Sequence, residues 1–94
     1  MNSTMIAITK LKNLASHPEY GCKKIADMRF SDLREPNQMN DLLKSVSQFG
    51  IQNPLVIEQH ESGEQILADG HHRALAAIYL GLNAVPMTIR NLGA

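Results

Sequence analysis

The chain has 94 residues, of which 44% are hydrophobic and 4% aromatic, with no tryptophan. That is enough apolar material for one small aliphatic core and too little chain for two, so a single domain over 1–94 is expected and a disordered chain is excluded. Nine cations balance nine carboxylates, which argues against a strong nonspecific nucleic-acid binder.

Cys22 is the one cysteine, so no internal disulfide can form, and no apolar run approaches membrane-spanning length. A soluble cytoplasmic protein without membrane contact is the expectation. The charge is unevenly spread. Lys10, Lys12, Lys23, Lys24, Arg29 and Arg34 outweigh Glu19, Asp27 and Asp32 in the first 34 residues, and acidic residues dominate the rest. This pattern fits an ordinary solvated surface, or a basic segment 10–34 that meets DNA or an acidic protein.

Met5-Ile6-Ala7-Ile8, with Leu11 and Leu14, reads as a first strand running into a short helical turn. His17 to Gly21 reads as a loop. Ile25 to Phe30 fits either a short strand or an irregular connector, which Pro36-Asn37 ends. Leu42, Leu43, Val46 and Phe49 follow helical spacing, with Asn37 or Asn40 as the expected cap and Gly50 as the stop. Pro54 to Glu58 is a strand with proline at its tolerant first position. Glu61 to Glu64 is a hairpin turn, and Gln65 to Ala68 is the returning strand. A helix starting at His71 buries Ala74, Leu75, Ala77 and Ile78 and stops at Gly81. Ala84 to Ile89 is the last strand. The order predicts an α+β fold, a small mixed β-sheet with packed helices.

One stretch carries the chemistry. Leu67 to Ala77 passes from a buried strand through Asp69-Gly70 directly into a helix whose first turn holds His71, His72 and Arg73. A helix start of this kind leaves backbone amides unpaired and favours anions. Gly70 permits close approach of a ligand, and Arg73 adds a permanently charged fork for phosphate. Gly70, His71, His72 and Arg73 are therefore the candidate phosphate-binding residues. The side chains of His71 and His72 diverge by about 100° on a helix, so one faces the site and the other is exposed or packed. Asp69 fits two roles, a helix cap or a magnesium-side residue or base. His60, His71 and His72 lack zinc-ligand spacing. There is no P-loop and no Gly-x-Ser-x-Gly elbow. Cys22, beside Lys23 and Lys24, is either inert or a thiol of lowered pKa. Glu35 reads as a solvated charge or a catalytic base.

Gly50-Ile51-Gln52-Asn53-Pro54-Leu55-Val56-Ile57 resembles the G-I-x-x-P-I-x-V box of the ParB N-terminal domain. Gly70-His71-His72-Arg73-Ala74-Leu75-Ala76 resembles its G-E-R-R-x-R-A box, and Leu80 to Pro86 resembles the L-G-x-x-x-V-P that follows. Three boxes in order, over roughly residues 25–90, identify the chain as similar to the ParB/sulfiredoxin superfamily. The resemblance implies a nucleoside triphosphate ligand, ATP or CTP, with magnesium, held at this corner, and a bacterial or phage source. ParB proteins bind and hydrolyse CTP and clamp DNA. Of their arginine box only Arg73 stands here, and their later E-N-x-Q-R segment and helix-turn-helix are not found in these 94 residues. Sulfiredoxin has G-C-H-R at the corner, with His71 in the cysteine position here, so sulfinic-acid repair is not expected. The corner Asp69-Gly70-His71-His72-Arg73 is most similar to the free-serine kinases of this fold, which implies catalytic roles for Asp69 and His72 and a base role for Glu35. The resemblance thus implies a nucleotide-binding domain, a nucleotide hydrolase or small-molecule kinase if it turns its ligand over. The other class is a non-enzymatic DNA- or protein-binding regulator, and a homodimer is compatible with both.

Overall fold

The computed structural model describes residues 4–92. Strand β1 (Thr4–Ala7) turns at once into the five-residue helix α1 (Ile8–Lys12). Residues 13–38 then form no longer element. They run through four single 3-10 turns, at Pro18–Tyr20, Ile25–Asp27, Phe30–Asp32 and Pro36–Gln38. Helix α2 (Met39–Phe49), the hairpin β2 (Leu55–Gln59) and β3 (Gln65–Asp69), helix α3 (His71–Tyr79) and β4 (Ala84–Asn91) complete the domain.

The sheet order is β1-β4-β2-β3, with β4 parallel to β2 and the other pairs antiparallel. This is the mixed sheet with packed helices expected from the element order. Leu11, Ile25, Leu55, Ile57, Leu67 and Val85 are fully buried, so helices, turns and sheet share one aliphatic core. Each Leu or Ile buried in this way stabilises the fold by about 1.5–3 kcal/mol.

One open alternative is decided and two expectations on local structure are corrected. Ile25–Asp27 is a 3-10 turn, the irregular connector and not the strand. Its buried Ile25 anchors the segment without the alternation a strand requires. Neither Asn37 nor Asn40 caps α2. Asn37 lies in the preceding 3-10 turn, Asn40 lies inside the helix, and Gln38 at the cap position makes no side-chain capping bond. The 3-10 turn feeds its last residues straight into α2, which leaves no extended residue of the kind a capping side chain needs. Ile78 is half-buried, and the fully enclosed face of α3 is Ala74 to Ala77. Gly50 does end α2, at φ +74.

The register of the hairpin changes just before the corner. Val56 faces Asp69 and Ile57 faces Leu67, so Ala68 is one extra residue on β3. A bulge of this kind bends and twists its strand locally. Here it sits immediately before the turn into α3.

Candidate functional site

The corner is built from the backbone first. Gly70 precedes α3 at φ +100, a conformation that costs any residue with a Cβ. A Cβ there would also stand 2.6 Å from Leu55 Cδ2 and 3.1 Å from an Arg73 guanidinium nitrogen. Glycine is required on both counts. The first helical bond of α3 runs from the Ala74 amide to the Gly70 carbonyl at 2.8 Å. The amides of His71, His72 and Arg73 come before it, and no side chain caps the helix. They carry the positive end of the helix dipole.

These amides border a cleft of about 260 Å³. One wall is Ala68 to Arg73, and the other is Glu19, Tyr20 and Arg34. The corner expected from sequence is therefore one half of a two-walled site.

Arg73 is anchored from behind. Its guanidinium donates to the carbonyls of Asn53 at 2.9 Å and Pro54 at 3.3 Å. Its other terminal nitrogen lies 3.6 Å from Asp69 Oδ2. The G-I-x-x-P box thus supports the G-x-x-R box physically, because carbonyls of one hold the arginine of the other. Asp69 makes no capping bond, since Gly70 occupies the cap position. Its carboxylate is 70% exposed at the mouth of the cleft, with Arg73 as its charge partner.

The two histidines diverge as their spacing requires. His71 is 5% exposed, and its Nε2 accepts the His17 amide at 3.1 Å. Its ring lies 4.6 Å from that of Tyr20. Burial lowers its pKa from 6.5 to about 4, so the ring is neutral at pH 7 and carries its proton on Nδ1. Both nitrogens cannot then act as cationic phosphate donors. His71 thus joins the second wall to the first through His17 and Tyr20. His72 donates from Nε2 to the Arg34 carbonyl at 2.6 Å. That bond fixes the backbone of the opposite wall.

Glu35 is exposed, in a left-handed conformation at φ +52, and accepts from Gln38 Nε2 at 2.6 Å. It follows Arg34 in sequence but does not line the cleft. Among the described residues no three His, Cys, Asp or Glu side chains gather into a metal site, and His60 lies on the hairpin beside Glu58. Cys22 is exposed in a left-handed turn at φ +55. Of the basic segment, Lys23 lies 3.5 Å from Asp32, while Lys10, Lys12 and Lys24 point into solvent without a carboxylate within ion-pair range among the described residues. The Arg29 amide, bonded to Asp32 at 2.8 Å, holds that carboxyl below its ordinary pKa.

Sequence reasoning missed His17, Glu19, Tyr20 and Arg34 as site residues. Arg34 lies 2.9 Å from Glu19, and the Glu19 amide donates to His17 Nδ1 at 3.1 Å. No periodicity marks them, because they sit in or between single 3-10 turns placed by tertiary contacts. The basic excess of residues 1–34 was the sole signal.

The ParB N-terminal domain family matches residues 19–94, four-fifths of the chain. The chain belongs to this family. A probable chromosome-partitioning protein ParB from Treponema pallidum is 31% identical over 52 residues, which cover 55% of this chain and 16% of that protein. The chain therefore spans about a sixth of the length of that curated relative. The C-terminally truncated chromosome-partitioning protein ParB from Caulobacter crescentus, complexed with CTP-gamma-S, superposes with a TM-score of 0.66 at 24% identity, over 98% of this chain and 46% of that one. The same protein complexed to the centromeric parS site gives 0.63 at 26% identity, over 96% and 41%. Sulfiredoxin from Arabidopsis thaliana gives 0.66 at 19% identity, over 97% of this chain and 86% of that one. The superfamily resemblance carried by the three sequence boxes is borne out, and the α+β fold is shared with both groups. No helix among the described residues is long and apolar enough to cross a membrane.

Proposed function

We propose that this ParB-like domain binds the phosphates of a nucleoside triphosphate in the cleft at Asp69–Arg73. The observation that carries the reading is one of convergence. The first residues of α3, whose amides have no intrahelical partners, and the two arginines Arg73 and Arg34 line a single cleft of about 260 Å³. Amides at a helix start and a guanidinium fork are complementary to phosphate oxygens. The likeness to a ParB crystallised with CTP-gamma-S supports the same assignment. Gly70, His71 and His72 contribute backbone, and Arg73 contributes charge.

A divalent cation would arrive with the triphosphate. Asp69 fits it as a single exposed carboxylate, since magnesium habitually takes one or two protein carboxylates with phosphates and waters. Where turnover follows binding, Asp69 is the carboxylate placed for it. Glu35 would have to swing from Gln38 to reach the same ligand, and His72 would have to release the Arg34 carbonyl.

A thermal-shift panel of CTP, ATP, ADP and GTP with magnesium tests the reading. At least one triphosphate is expected to raise the melting temperature, and Arg73→Ala to remove the shift. A panel in which no nucleotide moves the wild-type melting temperature overturns it. A second reading, contact with DNA through Lys10, Lys12, Lys23 and Lys24, is favoured by their exposure on one N-terminal segment and by the ParB–parS neighbour. It predicts duplex binding that weakens steeply with salt.

A further inference from the structure

We propose that Arg34 is a second phosphate-binding side chain of the cleft, held in reserve by Glu19. The inference rests on the nucleotide reading above and adds a residue that neither the corner motif nor the family boxes contain. Four observations carry it. Arg34 lines the same cleft as Gly70–Arg73, so a phosphate chain on the helix start and the guanidinium share one space of about 260 Å³. The guanidinium is 75% exposed, and its one charge partner among the described residues is Glu19, at 2.9 Å. Its backbone is fixed to the helix wall, because the Arg34 carbonyl accepts from His72 Nε2 at 2.6 Å. Glu19 is itself tied back to that wall through its amide on His17 Nδ1 and the His17 amide on His71 Nε2.

The result is a closed circuit: His71, His17, Glu19, Arg34, His72. Three links are hydrogen bonds to backbone, and His71–His72 is the peptide bond between neighbours. The remaining link is the Arg34–Glu19 ion pair, which is the one link a ligand can compete for. An exposed ion pair is weak, whereas a guanidinium on a phosphate gains a doubly bonded, more highly charged partner. A triphosphate in the cleft therefore takes Arg34 from Glu19 without moving the backbone that carries it. Arg73 differs, since its fork is already committed to the Asn53 and Pro54 carbonyls and it acts as a fixed cation. Arg34 is the mobile one.

Glu19 is then a competitor for the arginine, and its removal has the opposite sign to the removal of Arg34. Calorimetric titration with CTP, ATP and inorganic tripolyphosphate, each with magnesium, separates the roles. Arg34→Gln is expected to weaken binding about tenfold, the worth of one charge-assisted hydrogen bond. Glu19→Gln is expected to tighten it several-fold, and the double variant to match Arg34→Gln alone because Glu19 acts through Arg34. Arg34→Lys should recover part of the loss, as a charge without the fork. A structural role cannot produce the gain in Glu19→Gln, since loss of a supporting contact only weakens binding. Arg34→Gln and Glu19→Gln within twofold of wild type, with Arg73→Ala still abolishing binding, overturns the role of Arg34 and leaves the corner intact. Wild-type protein that binds none of the three probes overturns both.

Discussion

The two walls of the cleft are made in opposite ways. The corner wall, Ala68 to Arg73, is a strand end and a helix start anchored by the buried His71, with Leu67 and Ala74 fully enclosed on either side. The facing wall, Glu19, Tyr20 and Arg34, hangs on 3-10 turns with few backbone bonds of their own, and it is fixed by contacts to the histidines of the corner. One wall is stiff because its own sequence makes it so; the other is placed by the first. Pre-organised groups and adjustable groups facing one ligand is an arrangement that recognises without requiring a fully closed site.

Substitutions at the two glycines test that contrast most severely. Gly70→Ala meets both a left-handed backbone and the Leu55 side chain at 2.6 Å, and should cost about 3 kcal/mol, with the unfolding midpoint in urea as the measure. Gly21→Ala, at φ +84 but with nothing within 4 Å, should cost about 1 kcal/mol. Equal costs would mean that the corner is no stiffer than the turn.

Acid should separate the walls next. The folded His71 takes up its second, charging proton only below about pH 4, while an unfolded histidine does so near 6.5. Between those values the unfolded chain binds more protons, so stability is complete above pH 6.5 and falls as the pH drops toward 4. The loss attributable to this ring is roughly 3 kcal/mol. His71→Gln keeps an acceptor for the His17 amide without titrating, so the advantage of wild type over it should shrink across that window. A constant difference from pH 7 to pH 4 would show that the ring is not buried as a neutral base.

Arg73→Ala strips the donors from two backbone carbonyls and is expected to cost 1–2 kcal/mol by urea unfolding, in addition to nucleotide binding, on the order of one to two hydrogen bonds. The smallest effect belongs to the adjustable wall. Arg34→Gln should change stability by less than about 0.5 kcal/mol, because its ion pair is exposed. A large loss there would show that the Arg34–Glu19 pair supports the fold.

What could be read in the sequence follows the same division. The hairpin, α2, α3 and β4 announce themselves through alternation, helical spacing and glycine stops, all of which are local signals. The phosphate corner was legible because Asp69-Gly70 and Arg73 lie within five residues of one another. The second wall was not. Glu19 and Arg34 are fifteen positions apart, join only through tertiary structure, and sit among single turns that have no period. The caps failed for a related reason. Asn37 and Asp69 have the right chemistry, but a 3-10 turn and a glycine occupy the places where a capping side chain would have to stand. His71 was legible as chemistry but not as a buried neutral ring, since its burial depends on Tyr20 and His17 arriving from elsewhere.

The extra residue at Ala68 sets the angle of this site. A residue left out of the ladder bends and twists its strand while the pairs on either side keep their faces, so Ala68 sets the angle at which the chain enters Gly70. Substitutions at the hairpin tip, His60 to Glu64, or changes in its length, leave that angle untouched and are expected to be tolerated. Deleting Ala68 alone would keep Val56 opposite Asp69 and Ile57 opposite Leu67 but make the ladder regular, removing the local bend and twist just ahead of Gly70. The bulge thus divides the hairpin into a tip that can vary in length and a base whose bend aims the chain into the corner.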